Sequence, residues 1–93
     1  MTDTKKPLNL TSKRLYCLQA FEDGRPRSTL DVAKKAIAEG INQTACRYEW
    51  ADAPMRELRR AGLLEYAVGR DSWGRRYHRL TAEGEAALAA ARN

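Results

Sequence analysis

Four arginines fall within ten residues in the stretch GLLEYAVGRDSWGRRYHRLTAEG, residues 62–84: Arg70, Arg75, Arg76 and Arg79. A guanidinium is a planar fork of N–H donors that fits phosphate oxygens, or the edge of a guanine, in a bidentate way. Around the tip of this stretch only Asp71 opposes the four, and Trp73 adds an aromatic ring that a free-standing loop has little reason to display. A second set, Arg56, Arg59 and Arg60, lies just upstream in MRELRRAGLLE. The whole sequence holds 17 Lys and Arg against 12 Asp and Glu, a formal charge of +5, with a pI near 9.6. That balance attracts polyanions, of which nucleic acid is the commonest. A plainly basic, solvated surface would give the same total, so the placement of the arginines has to decide.

Other chemistries find little material. With His78 the single histidine, no Ser-His-Asp or Cys-His pairing can be assembled, no glycine-rich phosphate loop occurs, and the carboxylates are scattered along charged helix faces. A non-enzyme is expected, with no cofactor. The two cysteines, Cys17 and Cys46, are far apart and match no zinc spacing, so no metal site is expected either. Cys17 falls in an apolar-periodic segment and reads as a small buried thiol rather than a reactive one; Cys46 has no assigned role. His78, on a strand, reads as partly buried or phosphate-facing rather than as a general base.

A chain of 93 residues supports one hydrophobic core and so one domain. A hydrophobic fraction of 43% and a charged fraction of 31% suit a soluble globule. No segment is apolar and long enough to span a bilayer, and MTDTKKPLNL lacks the pattern of a secretory signal, so the cytoplasm is the expected location and no membrane is involved. Residues 1–9, with Lys5, Lys6 and Pro7, read as a flexible basic arm ahead of a domain over residues 10–93.

The elements that must position the arginines can be read in turn. Helix 1 is expected from Thr11 or Ser12, with Leu15, Leu18 and Phe21 on one face until EDGRP stops it. GRPRS is long enough for a brief extended crossing. Helix 2 follows from Ser28 or Thr29, with Asp31 in its first turn, Leu30, Ala33 and Ile37 facing inward, and Gly40 as a left-handed C-cap. Between Gly40 and Gly62 the composition is helical throughout, yet Pro54 is compatible only with a first turn. A short helical or turn-like piece is therefore expected around residues 44–50, then helix 3 from about Asp52, its cap, to Ala61. On it Met55 and Leu58 face inward; Arg56 and Arg60 fall on the outward pole with Arg59 at the flank. LLEYAV alternates as a strand with Leu64, Tyr66 and Val68 on one face, GRDSWG supplies a tip, and RRYHRL returns with Arg76, His78 and Leu80 on a common side. Thr81 caps a last helix whose Leu88 reaches the core.

Three helices, an extended crossing, a basic hairpin and a closing helix that opens with LTAEG resemble the winged helix-turn-helix domain of small bacterial and phage transcriptional regulators. The likeness is carried by MRELRRAGLLE at 55–65 and GRRYHRLTAEGEAAL at 74–88. It implies an α+β, mostly α, fold: a three-helix core, a β-hairpin wing and a C-terminal helix. It also implies a sequence-specific regulator of transcription, such as a repressor, that binds double-stranded DNA with helix 3 in the major groove and the wing on the backbone or minor groove. On this reading Arg56 and Arg60 face bases or phosphates, Arg70, Arg75 and Arg76 contact the wing-side backbone, and Trp73 packs on a sugar; Arg59 and Arg79 belong to the same basic surface. A homodimer is expected, since two half-sites suit two copies. One departure stands out: about ten residues separate helices 2 and 3, where the family has a tight turn. Either helix 3 begins earlier or an extra turn precedes it, and in both cases Gln43, Thr44, Arg47 and Tyr48 could lead into the groove.

The alternative is a protein-binding winged helix, for example a phage-encoded inhibitor of a host nucleic-acid machine, since fold alone does not fix function. The two differ in charge continuity: a DNA binder needs the arginines of helix 3 and wing on one face, uninterrupted by Glu49, Asp52 and Glu57.

Overall fold

The computed structural model of the protein describes residues 8–41 and 48–92. Three helices come first, α1 (Ser12–Gln19), α2 (Thr29–Ala38) and α3 (Asp52–Arg60). The hairpin strands β1 (Leu64–Arg70) and β2 (Arg76–Leu80) follow, and then α4 (Ala82–Arg92). No helix among the described residues is long and apolar enough to cross a membrane.

Each helix boundary has a local cause. Thr11 is extended, and its hydroxyl accepts the Arg14 N–H at the start of α1. Ser28 forms a reciprocal capping box with Asp31: the hydroxyl accepts the Asp31 N–H at 3.1 Å and the carboxylate accepts the Ser28 N–H at 3.0 Å. α2 and α3 end alike. Gly40 and Gly62 take φ of +75° and +81°, and the residue after each donates back to the carbonyl five positions earlier, Ile41 to Ala36 and Leu63 to Leu58.

Two details differ from the sequence expectation. Asp52 is the first residue of α3, not its cap: Ala51 holds that place with φ −92° and ψ −6°, because the turn at 48–51, closed by the Asp52 N–H on the Glu49 carbonyl, already runs into the helix. Its carboxylate is thus free to face the wing. The extra turn ahead of helix 3 is present at 48–51; the rest of the expected piece, with Gln43, Thr44, Cys46 and Arg47, lies outside the described residues, as does most of the N-terminal arm. On α2 the buried face runs through Leu30, Val32, Ala33 and Ala36, leaving Ile37 half-buried, because the small alanines let that face approach the core.

The hairpin departs from strict alternation. Leu64 pairs with Leu80 and Tyr66 with His78, but the next pair is Arg70 with Arg76, so four steps along β1 oppose two along β2. This bulge passes through Gly69 at φ +104°, where a Cβ would lie 3.1 Å from the Tyr77 ring. Within it β1 leaves the core: Leu64 is buried, whereas Val68, on the same face in strict alternation, is 97% exposed. The expected extended crossing is present, as Arg27 and His78 exchange backbone hydrogen bonds of 3.2 and 2.8 Å. Thr81 then ties three elements together, donating to the Gly62 carbonyl at 2.6 Å while accepting the Gly84 N–H at 3.0 Å, and Leu88 is buried as expected. Cys17 is buried within the core cluster, and burial pushes its thiol up to about 12, consistent with an unreactive packing role.

Candidate nucleic-acid interface

α3 and the wing meet along an open groove of about 320 Å³ whose walls carry Arg56 and Arg59 from α3 and Arg75 and Arg76 from the wing. Tyr66 and His78 supply the wing wall, and Thr29 at the start of α2 supplies one end. The two arginine sets thus converge on one face. α3 achieves this because burying Pro54, Met55 and Leu58 turns Arg56 out to solvent with Arg59 half-buried beside it.

The acids separate by role. Glu57 is drawn away from the groove by Arg14 of α1, with Nε at 3.0 Å, and Glu49 is exposed in the preceding turn. Asp52 remains, with Oδ1 at 3.6 Å from an Arg75 nitrogen that also donates to the Thr29 hydroxyl at 3.2 Å. Four guanidinium groups therefore face one carboxylate. A pair as exposed as Asp52 and Arg75 is weak, so Arg75 is positioned by it rather than neutralised. The Asp52–Arg56 pair that a merely solvated helix face would form is replaced by this contact to the wing.

Asp71 does not act as a surface counter-charge at the tip. It accepts the Trp73 and Arg75 N–H groups at 2.8 and 2.9 Å, and the buried Ser28 hydroxyl donates to its other oxygen. Partial desolvation works to raise its pKa, but these donors outweigh it and hold the carboxyl below its ordinary value. The wing tip is thereby latched to the cap of α2. Ser28 was visible in the sequence only as a cap; nothing in its spacing signalled this second bond across 43 positions.

The remaining candidates are dispersed. Arg60 is exposed on α3 but is not among the groove-lining residues. Arg70 bends across the tip to donate to the Gly74 carbonyl at 2.7 Å, next to a shallow hollow it shares with Tyr66, Val68 and Arg76. Arg79 pairs with Glu65 at 2.7 Å and lines a separate cleft against α4, so the structure does not bring it together with the groove arginines. Trp73 is 70% exposed, with the Lys34 ammonium 5.6 Å from its ring centre. Tyr48 is exposed in the turn before α3; Arg47 lies outside the described residues. Tyr66, absent from the sequence-level candidates, lies beneath two guanidinium groups.

His78 is buried under the groove with Nε2 at 3.4 Å from Arg59 Nη1. Burial pushes its pKa below the ordinary 6.5, and the neighbouring positive charge of Arg59 and Arg76 acts in the same direction against a smaller upward pull from a backbone hydrogen bond. The unfolded chain therefore takes up the proton first. The stability contributed by the neutral ring is intact above about pH 6.5 and declines as pH falls through that value toward the lower folded pKa. Wild-type protein is expected to lose more melting temperature between about pH 7 and about pH 5 than His78→Gln. Parallel thermal melts check this, and equal losses would refute it.

With this geometry in hand, comparison with known proteins adds a fold. A solved structure of the ferric uptake regulator from Francisella tularensis, with iron, superposes with a TM-score of 0.62 at 19% identity. The fold is a winged helix. The match covers 86% of this chain and 59% of that one, so this chain spans about three-fifths of the length of the regulator it resembles. No family model matches the sequence, and no curated protein matches it. Among the described residues no group of three or more His, Cys, Asp or Glu side chains is placed to hold a metal ion.

Proposed function

We propose that this winged helix is a non-enzymatic, sequence-specific regulator of transcription that binds double-stranded DNA, with α3 in the major groove and the wing against the adjacent backbone or minor groove. The observation that carries the reading is the convergence of Arg56, Arg59, Arg75 and Arg76 from two elements on one open groove, with Glu57 turned away. The likeness to the solved ferric uptake regulator supports it as an analogy of fold. Arg56, at the exposed pole of α3, is the best placed to reach base edges. Arg75 and Arg76 act on phosphates, with Arg59 behind them; Arg60, Arg70, Trp73 and Tyr48 border the footprint. Two copies on a two-fold operator would double the contact and sharpen specificity. Nothing in this reading carries the neighbour's iron over to this chain.

The test is a salt titration of duplex binding by fluorescence anisotropy. Three phosphate contacts, from Arg59, Arg75 and Arg76, release enough counterions that affinity should fall about fortyfold between about 50 and about 200 mM salt. A flat response would end the polyanion reading. A second reading, a protein-binding winged helix, is favoured by one observation: Val68 and Trp73 leave 97% and 70% of their surfaces exposed on the wing. A protein partner would bury both, and substituting Val68, which lies outside the proposed DNA footprint, would weaken that association while leaving a salt-dependent DNA affinity untouched.

A further inference from the structure

The groove arginines are not independent. Tyr66 of β1 lies beneath both the helix set and the wing set: the Arg76 guanidinium carbon is 3.5 Å from its ring centre and that of Arg59 is 4.7 Å away. Arg59 comes from α3 and Arg76 from β2, so one aromatic ring is shared by cations of two elements that would otherwise repel each other. The ring is itself fixed. Tyr66 pairs with His78 in the sheet, the two rings are 4.9 Å apart at 50°, and the register slips only beyond it. At 38% exposure it is neither a core residue nor a free surface ring. It also forms the common wall of the groove and of the hollow along the wing that Arg70 and Val68 line.

We infer that Tyr66 is a positioning residue for the DNA-binding reading given above, on which this inference rests: its ring holds Arg59 and Arg76 over one platform so that both guanidinium forks meet the sugar-phosphate backbone already ordered. The negative face of an aromatic ring attracts a guanidinium and stacks well with its plane. A long side chain restrained before binding loses less freedom on binding than one swinging in water. The platform also gives a cation of the helix and a cation of the wing a common point of contact. The tyrosine hydroxyl has no part in this, so phenylalanine should serve equally well.

The experiment compares wild type, Tyr66→Phe and Tyr66→Thr, the last retaining a residue suited to a strand. Duplex binding is read by anisotropy across a salt series, folding by thermal melts, and the resting position of the arginines by NMR of the free proteins. Tyr66→Phe should bind as wild type does. Tyr66→Thr should bind about tenfold more weakly. In wild type and Tyr66→Phe the Arg76 side-chain protons should be shifted upfield by the ring current, and in Tyr66→Thr that shift should vanish. If wild type shows salt-dependent binding and folded Tyr66→Thr binds equally well, the positioning role is overturned while the DNA reading stands. If wild type shows no salt-dependent binding, both fall. Should Tyr66→Thr fail to fold, the wild-type spectrum decides: Arg76 protons at random-coil positions overturn the inference, and weak binding by folded Tyr66→Phe does so as well.

Discussion

Replacing Gly84 by alanine is expected to lower the melting temperature by at least about 12 °C, the largest effect of a methyl group added at any of the glycines. Gly84 lies in the first turn of α4, where a Cβ would come within 2.0 Å of the Leu63 carbonyl oxygen and 3.0 Å of Leu80 Cδ2. The obstacle is backbone, so no rotamer change relieves it. Nor can the helix simply lift, because the hydroxyl of Thr81 is engaged by both the Gly62 carbonyl and the Gly84 N–H. Overpacking of this kind costs about 3 kcal/mol or more, and in a domain of this size each kcal/mol moves the midpoint by about 4–8 °C. Gly62→Ala is the control. There the added methyl meets nothing within 4 Å, and only the left-handed φ of +81° is at stake, a cost of about 1–2 kcal/mol. Differential scanning calorimetry of both variants should rank them in that order, and a Gly84→Ala protein melting with wild type would show that α4 does not seat against the root of the hairpin.

Much of this framework was legible in the sequence because its signals are local. Thr11, Ser28 and Thr81 are capping residues next to apolar periodicity, Gly40 and Gly62 supply the left-handed ends, and Pro54 restricts where α3 can start. The crossing at Arg27 could be anticipated because Gly24 and Pro26 exclude helix there. What could not be read depends on distant partners. Period-two alternation put Val68 on one face with Leu64, but the bulge through Gly69 intervenes and leaves the two in different surroundings, and a bulge is set by how the two strands meet. Asp71 looked like a lone counter-charge because the Ser28 hydroxyl that engages it is far away in sequence. The same holds for the arginines: composition placed four in the hairpin, and only the fold separates Arg79, turned to Glu65, from Arg75 and Arg76, turned to α3. Tyr66 was passed over for a related reason, since a tyrosine on an alternating strand carries the pattern of a core residue and gives no sign of the cations on its face.

Removing Arg75 and Arg76 together should weaken duplex binding by about tenfold or more near 0.1 M salt and should make the salt dependence shallower by about two phosphate contacts. The loss should be similar for every duplex tried, because a contact to phosphate carries no base identity. Arg56→Ala should behave differently. From the exposed pole of α3 it would cost about 1–3 kcal/mol on the preferred sequence and less on others, compressing the difference between them. Both sets of substitutions are on exposed positions outside the core, so thermal melts should remain close to wild type, with one qualification specific to Arg75: its contacts to Asp52 and Thr29 help dock the wing tip, a tie that the Asp71–Ser28 bond independently maintains. The comparison separates the two functional readings. A double variant that keeps its affinity would mean that the wing does not touch the backbone, and attention would pass to exposed Val68 and Trp73 as a surface for protein. A uniform loss from the wing together with a sequence-dependent loss from α3 is the joint signature that only a duplex lying along the groove would produce.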